Sequence, residues 1–204
     1  MTIYIAHRQN NLKDSSSLRK LNFDGVEIDL RSSDKKIIIN HDPFKKSFDF
    51  FKKIKNFKKF FLIIDIKTSG ISFKVYKHLV KKKFKFLMLN LIQPEFFEMV
   101  NKGLSKNLFL RYSYYEKLNF SQKKINRINW IWVDFFENYY LSKKDFIYFK
   151  KFKKKICLTS PDLVGKPDGE IKRYIEYLNK NSIKVDMVCV KQKNLGIWKE
   201  LYKY

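Results

Sequence analysis

Short apolar runs alternate along this chain with longer stretches in which apolar residues recur three or four positions apart. The short runs, rich in β-branched and aromatic residues, lie at 2–6, 25–30, 60–66, 86–91, 107–111, 129–134, 155–159 and 186–190 and predict eight strands. Helical spacing occupies most of the gaps, over Leu12–Leu21, Phe48–Phe57, Phe73–Val80, Pro94–Val100, Leu141–Phe152 and Glu170–Leu178, and Leu195–Tyr204 reads as a closing helix. Lys35–Asn40 reads as an extra short strand after the second. Repeated strand–helix alternation is the pattern of a parallel sheet built from βαβ units. Eight such strands predict an α/β fold of the closed (β/α)8 TIM-barrel type, with an open doubly wound sheet as the alternative. The one clear Gly/Pro cluster, Pro161, Gly165, Pro167 and Gly169, follows the seventh strand. With no repeat, linker or low-complexity block, residues 1–204 read as a single domain.

Composition narrows the class. At 45% hydrophobic and 17% aromatic residues the chain carries too much apolar surface to stay unfolded, and no apolar run approaches the roughly 18 residues of a membrane span. The net charge of +24 makes attraction to phosphates or anionic lipid physically reasonable. However, 38 of the 44 basic residues are Lys and Ala6 is the lone alanine, a composition that A/T-rich codons give without any polyanionic partner. Lysine runs such as Lys81–Lys83 and Lys150–Lys155 fall in helix-like segments, where a solvated outer face is the ordinary explanation. Nucleic acid is therefore disfavoured as a partner. Cys157 and Cys189 each sit in an apolar run with no zinc or disulfide spacing and read as buried, reduced thiols. The N-terminus enters a strand at once with no signal-type segment, so a cytoplasmic location is expected, with room for peripheral attachment to an anionic membrane.

Reactive groups of a parallel barrel are expected at the carboxyl ends of its strands. His7 follows Tyr4-Ile5-Ala6; Glu27 and Asp29 alternate within Gly25–Leu30; Asp65 and Lys67 end Phe61–Lys67. Strand side chains alternate faces, so Glu27 shares a face with Asp29, and Asp65 with Lys67. Two carboxylates in an apolar strand are costly to bury unless a metal or a cluster of cations neutralises them. His41 follows Ile37-Ile38-Ile39-Asn40 and precedes Asp42-Pro43, whereas His78 lies in a lysine-rich helical segment and reads as a surface residue. No G-x-S-x-G elbow, phosphate loop, dinucleotide fingerprint or H-E-x-x-H pattern occurs.

Taken together, His7-Arg8, Gly25-Val26-Glu27-Ile28-Asp29-Leu30, Ile38-Ile39-Asn40-His41-Asp42-Pro43 and Ile64-Asp65-Ile66-Lys67 resemble the successive signatures of the glycerophosphodiester phosphodiesterase family, over about the first third of the chain. The resemblance implies a TIM-type barrel related to the phosphatidylinositol-phospholipase-C folds. It implies hydrolysis of a small-molecule or lipid-derived phosphodiester to glycerol phosphate and an alcohol. By it, His7 and His41 are the general acid/base pair, and Glu27, Asp29 and Asp65 bind one divalent cation, Mg²⁺ or Ca²⁺. Arg8 and Lys67 contact the phosphate. Only 23 residues separate His41 from Asp65, too few for the cap subdomain that many relatives insert there, so the barrel is expected to be compact and open-mouthed.

Three departures from the family pattern stand out. Gln9 replaces the usual glycine, the Glu-Asn-Thr element is absent from Asn10–Ser17, and Asp65 stands where a longer Glu is typical. Two other readings therefore remain open. One is a lipid-headgroup phosphodiesterase of the same fold, and the other is a degraded barrel that binds polyanions or membrane through its lysines. The residues leave the oligomeric state undetermined.

Overall fold

The structure, a computed structural model, describes residues 1–11, 15–34, 36–45, 47–138 and 140–204. The first residue of the predicted extra strand, Lys35, and the start of the first predicted helix, 12–14, lie outside them. The fold is α/β. The elements in chain order are β1 (Ile3–Ala6), α1 (Ser15–Lys20), β2 (Gly25–Ser33), β3 (Lys36–Ile39), β4 (Phe48–Asp49), α2 (Phe50–Lys53), β5 (Phe61–Ile66), α3 (Ser72–Lys81), β6 (Phe86–Leu89), α4 (Gln93–Asn101), β7 (Phe109–Tyr112), α5 (Lys123–Asn126), β8 (Trp130–Val133), α6 (Lys143–Lys151), β9 (Lys155–Thr159), α7 (Asp168–Lys180), β10 (Met187–Val190) and α8 (Leu195–Leu201). All eight predicted strands are present. They pack as two compact units, Arg8–Leu108 and Met1–His7 with Phe109–Tyr204.

In the Arg8–Leu108 unit the strand order is β4-β3-β2-β5-β6. The pairs β2·β5 and β5·β6 are parallel, with Glu27 opposite Ile63, Asp29 opposite Asp65 and Asp65 opposite Leu89. Gly25–Leu30 is buried on both faces, as parallel strands covered by helices are. Its last three residues, Arg31–Ser33, run past the predicted end of the strand to pair antiparallel with β3. The single helix expected over Phe48–Phe57 is instead β4, the four-residue α2 and a 3₁₀ turn, because Asp49 ends the strand and caps the helix by accepting the Lys52 N–H at 3.0 Å. Helix α3 buries Val75 and Leu79, four residues apart, and His78 lies against the rings of Phe50 and Phe51 at 5.8 and 4.8 Å rather than standing in solvent.

The second unit is wholly parallel, in the order β1-β10-β9-β8-β7. Helix α7 places Ile171, Tyr174, Ile175 and Leu178 on one buried stripe, with Asp168 and Glu170 in its first turn and Lys180 in its last to complement the helix dipole. Trp198 of α8 is fully buried and its indole N–H donates to Ser160 Oγ at 2.9 Å, so a large apolar body, worth roughly 1.5–3 kcal/mol of burial, leaves no unpaired donor. Cys157 and Cys189 are buried and outside any disulfide, as expected, and burial pushes the Cys157 thiol well above its ordinary value.

Candidate active site

Register explains the cluster. Asp29 and Asp65 are direct partners on neighbouring parallel strands, and Glu27 lies two residues before Asp29 on the same face. The three carboxylates are 2%, 1% and 7% exposed in the order Glu27, Asp29, Asp65, and each brings one oxygen within 4.8 Å of the others. Lys67, one residue past β5, puts its ammonium 2.6 Å from Asp65 Oδ2 and 3.2 Å from Asp29 Oδ1. Arg8 sits in the left-handed region at φ 51° and donates its backbone N–H to Glu27 Oε2 at 2.5 Å, while its Nε stands 3.8 Å from Asp29 Oδ2. Two amides complete the frame. Asn10 Nδ2 donates to Asp29 Oδ2 at 2.6 Å and its Oδ1 accepts the Asp29 N–H at 2.9 Å, and Asn90 Nδ2 donates to Asp65 Oδ1 at 2.8 Å.

Three formal negative charges thus face two positive ones in a buried site. Burial, then the charges of Asp29 and Asp65, push the Glu27 carboxyl well above its ordinary range, against the Arg8 N–H and Lys67. Burial likewise raises Asp65, against the pull of Lys67. For Lys67 burial works downward, but Asp65 and Asp29 outweigh it and hold the ammonium above its ordinary value. A set of three carboxylate oxygens that its own lysine and arginine do not neutralise fits a hard dication such as Mg²⁺ or Ca²⁺. Among the described residues no other group of His, Cys, Asp and Glu has such geometry.

His41 lies on the loop after β3, which starts beside the cluster because the Asn40 N–H donates to the Asp29 carbonyl at 3.1 Å. The His41 carbonyl accepts Arg31 Nε at 2.7 Å, and its Nδ1 lies 2.7 Å from Asp42 Oδ1. Hydrogen bonds from His41 and Lys45 lower Asp42 to about 2, so it remains an acceptor; this sets the imidazole proton on Nδ1 and leaves Nε2 as the basic nitrogen. A shallow cleft of about 250 Å³ opens between Asn10, Asn11, Ile39, Asn40 and Phe48. His7 belongs to the other unit, at the carboxyl end of β1, where its N–H donates to the Val190 carbonyl at 3.0 Å.

No protein-family model and no curated protein matches the sequence. Solved structures do match. A glycerophosphodiester phosphodiesterase from Agrobacterium tumefaciens is similar with TM-score 0.65 at 11% identity, over 94% of this chain and 98% of that one. A glycerophosphoryl diester phosphodiesterase from Parabacteroides distasonis gives TM-score 0.73 at 10% identity, over 100% and 88%. A phosphodiesterase from Oleispira antarctica, in complex with the product sn-glycerol-3-phosphate, gives 0.64 at 13%, over 98% and 97%. The chain has the fold of the glycerophosphodiester phosphodiesterases.

At this level of identity the likeness is one of fold, and its family is the one the four sequence motifs resemble. Of the predicted residues, Arg8, Glu27, Asp29, Asp65 and Lys67 come together in one cluster, His41 sits on the loop tied to it, and His7 ends β1. Sequence reasoning missed Asn10, Asp42 and Asn90. Only Asp42 carried a signal, as the carboxylate adjacent to His41; a single amide in a loop has none.

Proposed function

We propose that this chain is a divalent-cation-dependent phosphodiesterase that cleaves glycerophosphodiesters to glycerol phosphate and an alcohol, on a single compact (β/α)8 barrel domain spanning residues 1–204 without an inserted cap. The observation that carries the reading is the buried Glu27–Asp29–Asp65 cluster with Lys67 and Arg8 against it. The matched fold, over nearly the whole length of phosphodiesterases including one holding sn-glycerol-3-phosphate, supports it.

In this reading Glu27, Asp29 and Asp65 would hold Mg²⁺ or Ca²⁺, which when bound supplies positive charge to a non-bridging phosphate oxygen. Arg8 offers the phosphate a planar fork and Lys67 a point charge. His41, its Nδ1 fixed by Asp42, takes or gives a proton at Nε2, and the ionised Asp42 stabilises the imidazolium that forms. His7 is the second acid/base group. One imidazole removes a proton from the attacking oxygen and the other protonates the leaving alkoxide. Where water attacks, glycerol phosphate forms directly; where the neighbouring glycerol hydroxyl attacks, the cyclic phosphate it forms is opened by water in a second step in which the two imidazoles exchange roles.

The test is phosphorus NMR of glycerophosphocholine with the wild type, His7→Ala and His41→Ala, in EDTA, Mg²⁺ or Ca²⁺. Glycerol phosphate is expected only with metal and falls about 10²–10⁴-fold in each variant. Equal turnover in EDTA, or an unaffected His variant, contradicts the reading.

A lipid-derived substrate is favoured by one further observation. Phe44, in the loop after His41, is fully exposed at φ 59° and stands beside the exposed Lys45, which is chemistry suited to an anionic membrane surface. This goes with a cytoplasmic, membrane-peripheral location, and none of the described helices is long and apolar enough to cross a membrane. Sedimentation with phosphatidylserine vesicles that Phe44→Ser weakens supports it; unchanged sedimentation does not.

A further inference from the structure

Among the described residues Asn90 and Asp162 each carry a buried side-chain oxygen without a hydrogen-bond partner, and Asn90 is the one bonded to the acidic cluster. It follows β6 directly, in the left-handed region at φ 61°, a conformation Asn tolerates better than most side chains. Its Nδ2 is committed to Asp65 Oδ1 at 2.8 Å, while Lys67 occupies the other oxygen of that carboxylate. The Asn90 Oδ1 is buried without a hydrogen-bond partner. Leaving a buried amide oxygen unpaired is costly, and a strand-end side chain already fixed through its other atom cannot turn to solvent without releasing Asp65.

The chemistry of the orphaned atom is specific. A carboxamide oxygen is a neutral, hard acceptor of the kind Ca²⁺ and Mg²⁺ take alongside carboxylates. It belongs to an amide whose nitrogen is 2.8 Å from an oxygen of one of the three clustered carboxylates, so it is one amide group away from that oxygen. Asp65, with one methylene fewer than Glu, gives a shorter arm to that set, and a neutral oxygen beside it supplements the donors without adding a fourth buried negative charge.

We propose that Asn90 is a fourth protein ligand of the divalent cation, through Oδ1, as well as the residue that orients Asp65. The proposal rests on the cation reading of the Glu27–Asp29–Asp65 cluster. It places a metal-binding residue just after β6, beyond the four motifs that the sequence displays.

The test is Mn²⁺ titration followed by the electron paramagnetic resonance of the unbound ion, which reads affinity without turnover. Asn90→Gly removes the amide while keeping the left-handed backbone at ease. Asn90→Asp keeps an oxygen at the ligand position but replaces the donor to Asp65 with a second carboxylate. Ligation predicts affinity about ten- to hundredfold weaker in N90G, by analogy with lost metal-site partners, and near or above wild type in N90D. If N90G binds like wild type, Oδ1 is no ligand and the proposal falls. If N90D binds more weakly than N90G, Asn90 serves only to hold Asp65, and ligation is again excluded. Should N90G not fold, the direction of the N90D change alone decides between the two roles. Failure of the underlying reading is distinct, because the wild type itself would then bind no Mn²⁺, and the proposal would fall with it.

Discussion

Each of the two compact units buries carboxylates near strand ends, and it does different things with them. In the Met1–His7 and Phe109–Tyr204 unit, Asp134 follows β8 and is 8% exposed, but among the described residues it belongs to no three-residue cluster of metal-ligating side chains. Arg111 donates to its Oδ2 from Nε at 3.1 Å and Nη2 at 2.8 Å, and Trp132 Nε1 donates to its Oδ1 at 2.8 Å. The guanidinium also reaches the exposed Glu116, with Nε 3.6 Å from its Oε2, and both Asp134 oxygens are filled, so Asp134 is a structural fixture. In the Arg8–Leu108 unit three carboxylates crowd within 4.8 Å and share Lys67 and Arg8. Burial is common to both regions. Crowding of like charge beyond what the local cations neutralise separates a candidate chemical site from a buried ion pair.

The largest expected effect breaks that contrast directly. Asp29→Asn removes the carboxylate that lies between Glu27 and Asp65 and touches Lys67 and Arg8, and it should reduce divalent-cation affinity about a hundredfold or more, with hydrolysis falling in step. Asp134→Asn should leave both unchanged. Calorimetric titration and the phosphorus NMR assay check the pair.

Stability should divide the other way. Asp134→Asn leaves Arg111 with a weaker acceptor in a partly buried place and should cost about 1–3 kcal/mol in denaturant unfolding. Glu27→Gln, measured in EDTA, should stabilise or be neutral, since it removes a charge that burial and two neighbouring carboxylates oppose.

The pH dependence of the metal-free protein follows from the same group. The Glu27 carboxyl is raised in the folded state above its ordinary 4.5, so the folded chain binds this proton more tightly than the unfolded chain. Its contribution therefore favours folding below about that pH and is lost as pH climbs through the raised value. In EDTA, unfolding free energy should decline over that window, and the decline should flatten in Glu27→Gln. A divalent cation should reverse the slope, because it takes the place of the proton.

The smallest effect concerns His41. Asp42→Asn keeps the size of its partner but removes the charge that fixes the Nδ1 proton, and should lower turnover about tenfold with little change in cation affinity. The split between turnover and metal affinity distinguishes the His41 loop from the cluster.

Much of this site was legible in the sequence because strands write their faces as alternation. Glu27 and Asp29 within Gly25–Leu30, and Asp65 with Lys67 at the end of β5, declared a shared face before any register was known, and the Asp29–Asp65 register then brought them together. The eight strands were legible as short runs of β-branched and aromatic residues, the signature of strands buried on both faces. Two-residue and four-residue elements were not: β4, α2 and α5 lie below the length at which a period can be counted, and the boundary between β4 and α2 is set by the Asp49 cap. His78 read as a surface residue because its contacts with Phe50 and Phe51 are tertiary. Asn10 and Asn90 bond through single side-chain amides across 19 and 25 residues, and such bonds leave no local pattern.

The central claim is that the Glu27–Asp29–Asp65 cluster is a cation site. Isothermal titration of the wild type and Asp29→Asn with Mg²⁺ and Ca²⁺, in two buffers of different ionisation enthalpy, tests it most directly. One ion should bind per wild-type chain with release of protons, and both signals should be lost in the variant. An equal heat in wild type and variant, or none in either, would contradict it.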